Sequence, residues 1–160
     1  MPSIIKDRAI AASEFTVADA EHASVDGSNA ILPLAFYLEH RDQLMGRNDI
    51  GVWLEAGDEI EELAAFVNEL PVVALNFPAF ADGRAYSSAN ILKRTMQYQG
   101  EIRAIGDVRR DQLSQMIHCG FNAFELADGQ DANKCLEALD SFSENYQSTV
   151  VTPEPLFRRR

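Results

Sequence analysis

The sequence predicts an α/β fold, a mostly parallel sheet of about four strands alternating with helices, with a short β-hairpin at the N-terminus. Three observations carry that expectation. Apolar runs of strand length recur around residues 50–54, 72–77, 101–105 and 121–126, each separated from the next by an amphipathic stretch. The run 72–77 is nearly all apolar, as in a parallel strand covered on both faces. Capping and breaking residues (Gly46, Asp58, Pro71, Gly100, Gly120, Asp131) fall at the junctions. Strands regularly separated by helices imply parallel pairing through right-handed crossovers. Two architectures satisfy this: an open three-layer sheet with helices on both faces, or a half-barrel of four strand–helix units that would pair with a second copy. For a lone chain of 160 residues the size prior favours the open sheet.

Taken in order, Ile4–Ile5 and residues 9–11 form the hairpin around Asp7 and Arg8, a turn without the glycine that tight hairpins prefer. Residues 18–29 are small and polar, and read as a connection or short helix. Pro33 suits the first position of a helix because it lacks an N–H. Leu34, Tyr37, Leu38, Arg41, Leu44 and Met45 continue that helix at the right spacing, and Gly46 stops it. A strand over 49–55 follows. Asp58 with Glu61 resembles a capping box and introduces Ile60, Leu63, Ala64, Val67 and Leu70, the spacing of an amphipathic helix ended by Pro71. After the strand 72–77, Ser87 or Ser88 caps a helix bearing Ile91, Leu92, Thr95 and Met96. The strand 101–105 is followed by a helix over 107–119, and the strand 121–126 by a last helix capped by Asp131 and bearing Cys135, Leu136, Leu139 and Phe142.

Length limits the chain to a single α/β domain, residues 1–147, followed by a flexible tail over 148–160 with two prolines and three terminal arginines. The hydrophobic fraction of 46% and charged fraction of 24% are ordinary for a globular protein. A formal net charge of -11 argues against general nucleic-acid binding, which needs a basic face, and suits docking to a basic protein partner. Cys119 and Cys135 form neither a CxxC pair nor a cluster with His22, His40 and His118, so no metal site is expected and reduced cytoplasmic thiols are the simplest reading. The absence of a membrane-length apolar run or a signal-like N-terminus also points to the cytoplasm. No GxGxxG, GxxxxGK[ST] or GxSxG motif is present, so no cofactor is expected.

In parallel α/β proteins ligands gather beyond the carboxyl ends of the strands. Two of those loops carry suitable chemistry. In the first, Asp82, Gly83, Arg84, Tyr86 and Ser87 precede a helix. Its free N–H groups favour an anion, Gly83 permits close approach, and Arg84 offers a bidentate clamp. The plain alternative is a turn, a salt bridge and a cap. In the second, Asp107 suits a helix N-cap, and Arg109 and Arg110 point to different faces. Arg103 lies inside the preceding strand, where a buried guanidinium needs a carboxylate or an anion; a structural Arg–acid network is slightly favoured over a catalytic one. Adjacent His118 and Cys119 point apart on a helix, so Cys119 reads as core, as does Cys135, and His40 reads as exposed.

Together these segments resemble an uncharacterised bacterial family, domain of unknown function 934. The resemblance is carried by Leu32-Pro33-Leu34-Ala35, His40-Arg41-Asp42, Gly51-Val52-Trp53-Leu54, Phe77-Pro78 with residues 80–87, Gly106-Asp107-Val108, Arg110-Asp111-Gln112-Leu113 and residues 119–124. It extends to about Gln147, and the family is labelled as an oxidoreductase of sulfite reduction. The resemblance implies a role in sulfur assimilation beside sulfite reductase or its electron donor, as an accessory protein or oxidoreductase component. It carries over no catalytic residues. The alternative from the residues themselves is an enzyme or sensor for a small anion (sulfite, sulfate or a phosphorylated nucleotide), with Asp82, Arg84, Asp107 and Arg109 or Arg110 as its site. A structural homodimer is a third possibility.

Overall fold

A computed structural model describes residues 3–79 and 83–140. Its sheet has eight strands rather than about four: β1 (Ser3–Lys6), β2 (Ala9–Ala12), β3 (Thr16–Val17), β4 (Ala30–Pro33), β5 (Ile50–Leu54), β6 (Val72–Phe77), β7 (Glu101–Gly106) and β8 (Ala123–Phe124). Their spatial order is β2-β1-β8-β7-β6-β5-β4-β3. From β3 to β8 every strand pairs in parallel with the next in sequence, without a reversal. Right-handed crossovers taken always in the same direction put all the connections on one face, so the sheet curls with its other face inward. The protein therefore has the half-barrel and not the open three-layer sheet that chain length favoured, because the strand order never reverses.

The helices are α1 (Leu34–Glu39), α2 (Arg41–Leu44), α3 (Arg84–Asn90), α4 (Leu113–Cys119) and α5 (Ala132–Asp140). Alternation along the strands divides the core in two. Leu32, Val52, Leu54, Val73, Leu75, Phe77, Ile102 and Ala104 belong to the large outer core with the helices. Ile31, Val72, Ala74 and Ile105 form a smaller inner core, joined by Phe15, Val17 and Trp53. Trp53 Nε1 donates to the Ala18 carbonyl at 2.8 Å, and Arg47 clasps the connection 18–29 through the carbonyls of Val25 and Gly27 while pairing with Asp49.

The hairpin forms without glycine. Asp7 and Arg8 both take positive φ, 50° and 65°, and the Asp7 N–H donates to the Asn122 carbonyl at 3.0 Å, anchoring the turn to the start of β8. Other elements correct the expectation. Pro33 ends β4, opposite Trp53, and stands just before α1; the helix expected to run on to Met45 breaks at His40. The segment 58–70 is not a continuous α-helix but two 3-10 turns, Ile60–Leu63 and Val67–Glu69. Ile60, Leu63 and Phe66 are all buried while Ala64 is exposed, and a spacing of three matches three residues per turn. The third helix begins at Arg84, so Ser87 and Ser88 lie inside it instead of capping it; a π-turn, Ile91–Thr95, extends it. The fourth expected strand shrinks to the two residues of β8, and β3 and β4 were not foreseen. The expected tail and Phe142 lie outside the described residues.

Candidate functional site

Because the strands run parallel, the loops after β5, β6, β7 and β8 emerge at one end of the half-barrel. Two hydrogen bonds link the first three of them, and one side chain lies across the first. Asn76 Nδ2 donates to Glu55 Oε2 at 2.8 Å, joining the ends of β5 and β6. Asp107 N–H donates to the Phe77 carbonyl at 2.8 Å, joining β6 to the loop after β7. Arg84 sends its guanidinium over the β5 loop, with Nη1 3.9 Å from where a side chain on Gly57 would start. The Glu55 N–H is itself held by Asp58 Oδ2 at 2.8 Å. Asn76 is a site residue that the sequence reading passed over, although a lone amide in an otherwise apolar strand was its signal.

The candidate residues separate into groups. Asp82 lies outside the described residues. Gly83 precedes α3 and Arg84 opens it, both exposed. Tyr86 turns the other way, its ring edge-on to Phe77 with centroids 5.3 Å apart, and burial raises its phenol pKa. Ser87 is exposed on α3. Asp107 does not cap a helix: a 3-10 turn starts at Arg110 and α4 at Leu113. Instead its carboxylate receives Arg109 Nε at 2.8 Å and Nη2 at 3.3 Å, and that bond raises the Arg109 pKa.

Arg110 faces a second feature beside this end. A cavity of about 360 Å3 is lined by Arg109, Arg110, Asp111, Gln130, Asp131 and Lys134, among others. Three cations meet two carboxylates there. Asp131 already occupies the start of α5, accepting from the N–H groups of Asn133 and Lys134. Arg109 is held by Asp107 and Arg110 Nε lies 4.0 Å from Asp111, so Arg110 and Lys134 are the cations of the lining that could meet an anion beside the start of α5.

Arg103 belongs to neither cluster. It is 1% exposed on the inner face, with Nε donating to Glu101 Oε1 at 2.6 Å and Nη1 to Ser13 Oγ at 2.9 Å. This is an arginine–acid network at the opposite, amino-terminal half of β7.

The thiols are quiet. Cys135 is buried, Cys119 half-buried, and burial raises the pKa of both. His40 is half-buried and stacks on Phe36 at 4.2 Å. Among the described residues no group of His, Cys, Asp or Glu could hold a metal ion, and no helix is long and apolar enough to cross a membrane.

Burial, with the Arg8 charge adding to it, lowers the His118 pKa. The unfolded chain therefore takes up a proton before the folded one. Stability should be constant above the unfolded value near 6.5 and decline as pH falls through it. Melting temperatures between pH 8 and 5 should show that decline, and a His118→Gln variant should lessen it.

Fold and site together define a half-barrel α/β protein whose strand ends carry arginine–carboxylate pairs. Residues 51–157 match the family model described as a bacterial protein of unknown function (DUF934), and the chain belongs to that family. No curated protein and no solved structure matches it significantly.

Proposed function

We propose that the protein serves assimilatory sulfate and sulfite reduction in the cytoplasm, as an accessory or oxidoreductase component acting with sulfite reductase or its electron donor. What supports this reading is the sequence resemblance and the place beside sulfite reductase that it implies; the family matched over residues 51–157 is itself described as of unknown function. The net charge of -11 supports docking to a basic partner, which would be steered by the field and weakened by salt. The strand-end loops, tied together through Asn76 and Asp107, offer it a firm surface. Affinity-tagged protein should retain sulfite reductase at low salt, and a deletion strain should grow poorly on sulfate and sulfite yet normally on sulfide. Normal growth on all three, with no association, would sink the proposal.

A second reading is favoured by one observation, the cavity that brings Arg110 and Lys134 together beside Arg109, which Asp107 already holds. There the protein binds a small oxyanion, sulfite, sulfate or a phosphorylated nucleotide, through charge-assisted bonds. Titration with sulfite, sulfate and adenosine monophosphate should raise the melting temperature for at least one of them. An Arg110→Ala, Lys134→Ala variant should abolish that rise, whereas an unchanged response would remove the cavity from consideration.

A further inference from the structure

On the inner face, away from the strand-end loops, the N-terminal hairpin and the segment after it lean over β7 and enclose a cavity of about 200 Å3. It is lined by Ile4, Lys6, Ala11, Ala12, Glu14, Phe15, Glu101 and Arg103. That is smaller than the roughly 300–1,000 Å3 of pockets for drug-sized ligands, so a guest must be small.

Arg103 marks the cavity as more than a packing gap. Its Nε is committed to Glu101 and its Nη1 to Ser13, with Glu125 3.9 Å from Nη1. Among the described residues the hydrogen bonds of the guanidinium run from Nε and Nη1 alone, and Nη2 is not among the fully buried atoms left without a partner. A guanidinium that is 1% exposed, and forms part of the cavity wall, thus retains two N–H donors for whatever occupies the space. The rest of the group cannot easily turn to use them. Ser13 Oγ donates to the Phe15 carbonyl and accepts from the Phe15 N–H at 3.2 Å, which fixes the hydroxyl facing Nη1. Glu101 is shared, its second oxygen taking Lys6 Nζ at 3.0 Å.

The wall is also balanced in charge. Lys6 and Arg103 are opposed by Glu101 and by the exposed Glu14, with apolar surface from Ile4, Ala11 and Phe15 between them. A bare anion would meet two carboxylates. A guest that brings both signs would not. We propose that this cavity binds a small zwitterionic α-amino acid. Its carboxylate lies on Arg103 Nη2 and Lys6 Nζ, its ammonium faces Glu14, and its side chain rests on Ile4, Ala11 and Phe15. The site is independent of the strand-end cavity and of the proposed role in sulfite reduction.

The test is calorimetric titration of the full chain with individual L-amino acids, and with the matching carboxylic acids and amines that lack one of the two charges. At least one small amino acid should bind saturably, and its single-charge analogues at least tenfold more weakly. Lys6→Gln, at a half-exposed position, should weaken binding about tenfold. Ala11→Leu should abolish it by filling the cavity while leaving Arg103 and its partners in place, and Arg110→Ala should leave it unchanged. Failure of every amino acid to bind, equal binding of the single-charge analogues, or binding undiminished in a folded Ala11→Leu protein would each overturn the proposal.

Discussion

Arg103→Met should lower stability by about 3–5 kcal/mol, the loss expected when one member of a buried ion pair is removed. At this chain length that corresponds to a fall of roughly 10 °C in melting temperature. The cause is what the arginine leaves behind. Glu101 keeps only Lys6, whose ammonium is half-exposed and cannot follow the carboxylate inward, and the Ser13 hydroxyl loses its buried donor. Methionine replaces much of the volume, so the cost is chiefly electrostatic. The double variant Arg103→Met, Glu101→Leu should therefore recover most of the loss, because removing both charges together also removes the uncompensated desolvation. Urea unfolding of the three proteins reads this directly. A single-variant loss below about 1 kcal/mol, or a double variant no better than the single, would show that the pair is not a structural support.

The same residue shows how far the sequence could be read. A charged side chain in a run otherwise suited to a buried strand signalled an ionic partner, and Arg103 has one. Its partner Glu101 is two residues away on the same strand, but Ser13 is 90 residues away on a connection whose path no local pattern specifies. The long apolar strands β5, β6 and β7 were legible because each is buried on two faces and punctuated at both ends. By contrast, β4 was not, since a few apolar residues beside Pro33 fit a helix start as well as a strand, and β3 is only the two residues Thr16–Val17. Residues 58–70 were misread because buried positions spaced by three and by four overlap over so short a stretch, and only the exposure of Ala64 separates them. The curl of the sheet depends on strand order, which periodicity does not encode. The strand-end loops were legible as a place, from parallel topology alone. Which side chains meet there was not, as Tyr86 turning inward to Phe77 and Asn76 turning to Glu55 both illustrate.

The second large effect is expected at Gly106, the last residue of β7. Its φ of +90° is one that L side chains rarely adopt, and a Cβ there would lie 2.4 Å from both Asn76 Oδ1 and the Phe77 carbonyl oxygen. The two obstacles differ in kind. Asn76 could withdraw only by giving up its bond to Glu55, whereas the Phe77 carbonyl is backbone, already accepting the Asp107 N–H, and cannot move without parting β6 from β7. Gly106→Ala combines left-handed strain of about 1–2 kcal/mol with overpacking of about 1–3 kcal/mol, for a total of about 3 kcal/mol. Gly129→Ala provides the comparison. Its φ of +84° is similar, but nothing lies within 4 Å of the new Cβ, so backbone strain alone should appear, at about 1 kcal/mol. Thermal unfolding of both variants should separate them by several degrees. The Gly106→Ala protein should also lose whatever partner or anion binding depends on the strand-end loops, because Asn76, Phe77 and Asp107 converge on that one missing side chain. Equal and small shifts for the two variants would mean that the junction yields easily, and that the loops are not held together by the close approach at Gly106.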